Sequence, residues 1–254
     1  EGILITLNNL GVMYAGYDLP KAEAYCLEAL SKAKLIGAKR TSVLLYNNLG
    51  MISHNRLMAD QAVDYFKRSL RLAREIDFYE GLIFASISLS ELYREKGNVK
   101  RGRAYLRRAE RVAREINVKF LSIDCLMEEI EYWMREKKFA RARVLVKRMT
   151  RQLAAESNVL YKIYNLMYSG RILVADGKCS RARSLYAKAH EYVRALPANK
   201  ISGEIFYLKG LAFKREGRSK EALSMFLAAA RIFRTIGNLR HMDRVEQEIA
   251  GTTA

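Results

Sequence analysis

Residues 47–73 read NNLGMISHNRLMADQAVDYFKRSLRLA, and the marks of this stretch return at forty-residue intervals. Ala62 belongs to a column running Ala22, Ala62, Gly102, Ala142, Ala182 and Ala222. Seven residues behind it, Ser69 belongs to a column of Ala29, Ser69, Ala109, Ala189 and Ala229, broken only by Met149. A fixed period of this size means that one supersecondary unit is copied along the chain. Small residues seven apart share one face of a helix, two turns from each other, and mark where another helix backbone comes close. The opening Asn47-Asn48-Leu49-Gly50 also has a twin, at Asn8–Gly11.

Aligned on this ruler, each unit contains two amphipathic helices. The first helices are expected near 3–16, 41–55, 79–96, 119–136, 158–176 and 200–216, and the second near 20–36, 59–75, 100–115, 140–155, 180–195 and 220–236. Breakers mark the turns inside the pairs: Gly97-Asn98, Gly177-Lys178, Gly217-Arg218 and, in the first unit, Asp18-Leu19-Pro20. Glycine just past a helix end adopts the left-handed conformation cheaply, and proline at a helix start forfeits no needed hydrogen bond. Helices joined by such short turns pack antiparallel. The units fall at about 1–39, 40–78, 79–118, 119–157, 158–199 and 200–237, with a terminal helix over 238–250. Residues 1–254 thus read as one all-α solenoid of about six antiparallel helix pairs. The chain opens inside an apolar pattern, which reads as a fragment of a longer protein.

Composition agrees with a nearly all-helical chain: half of its 254 residues are hydrophobic and only two are proline. No apolar run is long enough to span a bilayer, so no membrane partner is expected. Three cysteines (Cys26, Cys125 and Cys179), an odd number without paired spacing, point to a reduced, cytoplasmic setting. Catalysis, cofactors and metals find no support. His54, His190 and His241 stand in separate units without carboxylate or cysteine at ligand spacing, and no strand carries a glycine-rich phosphate loop.

Within the first helices a large residue follows a tiny one by three places, as in Leu10-Gly11-x-x-Tyr14, Leu89-Ser90-x-x-Tyr93 and Gly210-x-x-Phe213, with Trp133 in the fourth unit. The tiny residue should let the second helix approach while that aromatic fills the gap beside it. The second helices pair small, aromatic and small residues, as in Ala62, Phe66, Ser69; Ala182, Tyr186, Ala189; and Ala222, Phe226, Ala229. This arrangement resembles the tetratricopeptide repeat family, whose unit is about 34 residues. The resemblance covers residues 3–236, and the extra residues lengthen both helices by about a turn. The fourth unit departs most, with Ile130 and Met149 at small places. Long units of this kind look like those of bacterial transcription activators of the maltose-regulon type, quorum-peptide receptors and signalling adaptors.

The resemblance implies a right-handed superhelix whose concave wall is built by the first helices. The partner-binding positions it implies are Asn8, Asn9, Asn47, Asn48, Met51, Ser88, Glu91, Glu128, Glu131, Tyr168 and Arg171. An asparagine side chain offers both donor and acceptor to an extended peptide's amides. Chaperone-adaptor relatives grip a terminal carboxylate with two lysines, an arginine and two asparagines. Those places here hold Asn8, Val12, Asn48, Phe84 and Ser88, so only Asn48 matches and an acidic chaperone tail is not expected at this site.

Net charge is +18, from 45 basic and 27 acidic side chains. Arg107, Arg108, Arg111, Arg114, Lys147, Arg148 and Arg151 crowd the third and fourth second helices, while Glu91, Asp124, Glu128 and Glu131 occupy the neighbouring first helices. The reading is a basic convex back, either a solvated face or a dock for an acidic domain or nucleic acid, behind an acidic mid-groove. Function is read as a non-catalytic scaffold for a protein or peptide, in a bacterial signalling or transcription-regulatory protein. Alternatives are a nucleic-acid-associated protein working through its basic face, and the ligand-sensing domain of a transcription activator. Gly102, the column member without a side chain, should mark the tightest helix contact.

Overall fold

In the computed structural model, residues 2–155 and 158–253 are described, and among them there are helices and turns but no strand. The first helices of the pairs are α1 (Gly2–Tyr14), α3 (Lys39–Asn55), α5 (Tyr79–Glu95), α7 (Lys119–Arg135), α9 (Val159–Ala175) and α11 (Lys200–Arg215). The second helices are α2 (Leu19–Leu35), α4 (Ala59–Glu75), α6 (Val99–Ile116), α8 (Phe139–Gln152), α10 (Cys179–Glu191) and α12 (Ser219–Thr235). A further helix, α13 (Leu239–Thr253), follows the last pair, and a short 3-10 turn, Leu153–Ala155, ends α8. The chain forms two compact units, Glu1–Tyr132 and Trp133–Ala254.

The turns obey a finer ruler than the helix pairs. A left-handed residue closes the helices at Gly37, Leu57, Asp77, Gly97, Asn117, Lys137, Gly177, Gly217 and Gly237, with φ between 51° and 78°. These positions are multiples of twenty residues apart, so turns inside pairs and between pairs share one geometry. The following amide reaches back five residues to close the helix end: Ala38 to Ala33 at 2.8 Å, Met58 to Ser53 at 2.9 Å, Lys178 to Leu173 at 2.8 Å and Asn238 to Phe233 at 2.8 Å. Pro197 cannot adopt this conformation, and there the helix start is set instead by Asn199, whose Oδ1 accepts from the Ser202 amide at 3.0 Å. Asp18 and Asn98 cap α2 and α6 in the same way.

Both small columns are buried throughout, Met149 and Gly102 included. The glycine in the first helix does admit its neighbour, but the aromatic that covers it comes from the second helix. A Cβ on Gly50 would stand 2.4 Å from the Phe66 ring, on Gly170 2.3 Å from Tyr186, and on Gly210 2.4 Å from Phe226. The aromatics three residues after the tiny one serve a different purpose, carrying cations on their faces. Arg101 lies 4.4 Å above Tyr93, Arg141 lies 4.6 Å above Trp133, and Arg183 and Arg218 lie 4.5 Å and 4.7 Å from Phe213. The first-helix aromatic receives arginines from the following second helix or the turn before it, and Phe213 also receives Arg183 from the preceding second helix.

Successive pairs are pinned by ion pairs at one register. Arg143 of α8 meets Asp176 after α9 at 2.6 Å, and Arg183 of α10 meets Glu216 after α11. In the first unit the same positions carry the opposite signs, Glu23 of α2 with Arg56 after α3. Packing between units of the repeat is apolar at its centre. Leu45, Leu49 and Ile52 of α3 lie in one cluster with Ala22, Cys26 and Ala29 of α2, and Ala85, Leu89 and Leu92 of α5 lie with Ala62 and Phe66 of α4.

Candidate functional site

In the first compact unit, α3 lies beside both α1 and α5, so the first helices form one row. Five of the sequence-derived positions meet along that row. Asn48 Nδ2 donates to Asn8 Oδ1 at 3.3 Å, linking α3 to α1. Ser88 Oγ donates to Asn47 Oδ1 at 3.1 Å and lies 3.7 Å from Met51 Sδ, linking α5 to α3. The result is a short ladder of amide and hydroxyl groups across three helices, spaced by the repeat itself. Each bonded asparagine spends one half of its amide on the ladder, and the other half retains hydrogen-bonding capacity. Ser88 is buried by these contacts, while Asn9 is exposed on the next face of α1.

The acidic end of the row is organised around Arg94, a residue that sequence reasoning did not single out. Arg94 is buried, and its guanidinium grips Glu128 with both arms, Nε to Oε1 at 3.1 Å and one Nη to Oε2 at 3.2 Å. Ser90 Oγ donates to the same Glu128 oxygen at 3.1 Å and lies 3.1 Å from the Tyr132 hydroxyl. Glu128 is only 6% exposed, so its carboxylate faces the interior network and is already satisfied there. Glu91, Asp124 and Glu131 are half-buried around it. Burial pushes the Glu128 carboxyl up to about 7, with Glu91 and Glu131 adding to the rise and Arg94 opposing it. Burial works against the Arg94 cation too, but Glu128, Glu131 and Glu91 outweigh it and raise its pKa. Burial and the neighbouring carboxylates thus favour the neutral Glu128 carboxyl, while the same carboxylates hold the Arg94 cation. The signal that could have found this cluster is Ser90, a polar residue at the place held by Gly11, Gly50, Gly170 and Gly210 elsewhere.

Tyr168 and Arg171 lie in the second compact unit, where Tyr168 is buried and the Arg171 guanidinium sits 5.6 Å from its ring centre. The basic positions are also shared out: Arg107, Arg108, Arg111 and Arg114 stand on α6 in the first unit, Lys147, Arg148 and Arg151 on α8 in the second. All are exposed except Arg108, which is half-buried.

The histidines are built into packing. His54 Nε2 lies 2.9 Å from Glu95, His241 Nε2 lies 3.1 Å from Glu204, and His190 meets Phe206 edge-on at 5.2 Å. Burial pushes His241 down to about 3, which favours the neutral ring. The three cysteines are unpaired and buried, and burial raises Cys26 to about 11 and Cys125 to about 12. Among the described residues no group of three or more His, Cys, Asp or Glu side chains could hold a metal ion, and no helix is long and apolar enough to cross a membrane.

No family model matches the chain, and no curated protein matches its sequence. Its fold is nevertheless shared with solved structures. NprR in complex with its cognate peptide NprX superposes with a TM-score of 0.72 at 13% identity, over 96% of this chain and 70% of that one. BtubC from P. vanneervenii gives 0.58 at 15% identity, over 84% of this chain and 90% of that one. A signal-transduction ATPase of Pyrococcus horikoshii with a tetratricopeptide repeat sensor gives 0.52 at 15% identity, over 89% of this chain and 39% of that one. The fold is all-α and tetratricopeptide-repeat-like.

Proposed function

We propose that the chain is a non-catalytic module that binds a peptide or a protein segment along its first-helix row, within a signalling or transcription-regulatory protein of bacterial type. The observation that carries this reading is the ladder Asn8–Asn48 and Asn47–Ser88 across α1, α3 and α5. An extended peptide presents amides in both senses, and a row of half-used side-chain amides can answer both. The likeness to NprR, solved with its cognate peptide, supports the reading through the fold it shares. Free, buried cysteines fit a reducing, cytoplasmic setting.

A selection from a phage-displayed random-peptide library tests it. Wild-type protein should enrich related sequences, and the double variant Asn8→Ala, Asn48→Ala, folded by its circular dichroism, should retain them poorly. Failure to enrich any consensus, or equal capture by the variant, rules the reading out.

A further inference from the structure

The most uniform surface feature outside the first-helix row lies on the outward faces of α4 and α6, both in the first compact unit. Lys67, Arg71 and Arg74 of α4 stand forty residues before Arg107, Arg111 and Arg114 of α6, so the two helices carry the same triad at the same register. All six side chains are exposed. A spacing of four and then three residues keeps each triad on one face over about 10 Å of helix.

None of the six makes an ion pair among the described residues. Their neighbours do: Arg68 with Asp64 at 2.7 Å, Lys96 with Asp60 at 2.9 Å, and Lys39 with Glu75. Glu110, half-buried, is the acid whose charge reaches Arg107 and Arg114. The fold does not require cations at these places. The equivalent places hold a single cation in the first pair (Leu27, Ser31 and Lys34 of α2) and at the fifth (Ala187 and Glu191 of α10, then Arg194 just after it, paired with Glu191 at 2.9 Å). They hold two cations each in α8 (Lys147 and Arg151, with Ala154 after it) and α12 (Arg231 and Arg234, with Leu227), so only α4 and α6 carry all three. A face kept merely soluble is served by mixed charges and by carboxylates. Here five of the six are arginine, whose planar fork matches phosphate oxygens bidentately.

We propose that α4 and α6 together bind the phosphodiester backbone of a nucleic-acid duplex, independently of base sequence. No exposed residue of either helix is aromatic, so the face offers no platform for the stacked bases of a single strand. A regular array of like charges meets a regular array of phosphates. An acidic protein surface, with irregular carboxylates, has no such match.

The test is fluorescence anisotropy with labelled 20-base-pair duplexes, one of DNA and one of RNA, titrated across salt. If all six cations engage phosphates, the log–log salt slope approaches about −5 for DNA. Arg71→Glu, Arg74→Glu, Arg107→Glu and Arg111→Glu combined should weaken binding at least about tenfold and flatten the slope. The matching Arg→Gln set serves if the glutamate variant fails to melt like wild type. A control set of equal charge change, Lys178→Glu, Arg181→Glu, Lys188→Glu and Lys220→Glu, should stay within about threefold of wild type at the same salt. Binding of either duplex with this contrast supports the proposal and names the duplex preferred. Absence of binding to both duplexes overturns it. So does an equal loss in the control set, or displacement of the duplex by polyglutamate at the same charge concentration.

Discussion

Gly102 of α6 lies directly beneath the Tyr132 hydroxyl: a Cβ there would stand 2.0 Å from that oxygen and 2.9 Å from the carbonyl oxygen of Ser90. The absent side chain lets Tyr132 reach Ser90 and the Arg94–Glu128 pair beside it. Gly102→Ala should cost about 1–3 kcal/mol through overpacking, despite alanine's better helix propensity. Adding Tyr132→Phe should recover part of that loss by removing the clashing oxygen. Urea titrations of the two single variants and the double variant would show this. An alanine variant as stable as wild type would mean that the contact relaxes freely.

Lys137 and Leu57 hold φ of 55° and 64° where Gly97, Gly177 and Gly217 hold the same turn. A side chain in the left-handed region costs about 1–2 kcal/mol, offset in part by the greater chain entropy that glycine loses on folding. Lys137→Gly and Leu57→Gly should therefore each stabilise by about 0.5–1 kcal/mol. The expected result is a rise in melting temperature for each, and a fall would show that other contacts of the two side chains outweigh the strain.

These two turns show where sequence reading stops. Glycines at 97, 177 and 217 announce turns by chemistry, whereas Leu57 and Lys137 have the same conformation imposed by helices on either side. The forty-residue columns, the helix bounds to within a few residues and the family likeness were all legible, because they depend on local pattern. The glycine's covering ring was not, since Phe66 and Tyr186 reach across from another helix. Nor was the fate of Glu128. Its number in the repeat said first helix, acidic row, but only the approach of Arg94 from a helix thirty-four residues earlier decides that its carboxylate is occupied. Asn48 shows a milder form of the same limit, being at its expected place yet half spent on Asn8.

Glu128 also sets a pH dependence. Burial, with Glu91 and Glu131, lifts its carboxyl from 4.5 to about 7 against the pull of Arg94. The folded state then holds that proton more tightly than the unfolded chain does. Its contribution to stability is full below 4.5 and is lost as the pH rises through about 7. Glu128→Gln removes the titration and keeps an oxygen for Arg94. Thermal melts at several pH values between 4.5 and 8 should show wild type losing ground to the variant as pH increases. A difference that stays flat, or moves in favour of wild type, would show instead that the Arg94 fork keeps the carboxylate ionised throughout.

Val12 and Ile52 occupy the same register forty residues apart and live in opposite surroundings. Ile52 is 1% exposed against the small residues of α2, whereas Val12 is 54% exposed, and Ile5 at 59% contrasts likewise with Leu45 at 0%. Both are apolar residues at one place of the repeat, so their sequence register does not tell them apart. What differs is the presence of a second helix with its small column against that face. Ile52→Ala should then cost about 2–4 kcal/mol, from lost burial and the cavity left behind. Val12→Ala, with solvent already on the side chain, should change stability by no more than about 0.5 kcal/mol. Paired denaturant titrations at constant m-value would separate the two. Equal losses at both positions would mean that Val12 is covered in solution, and that its face is an occupied contact rather than an open one.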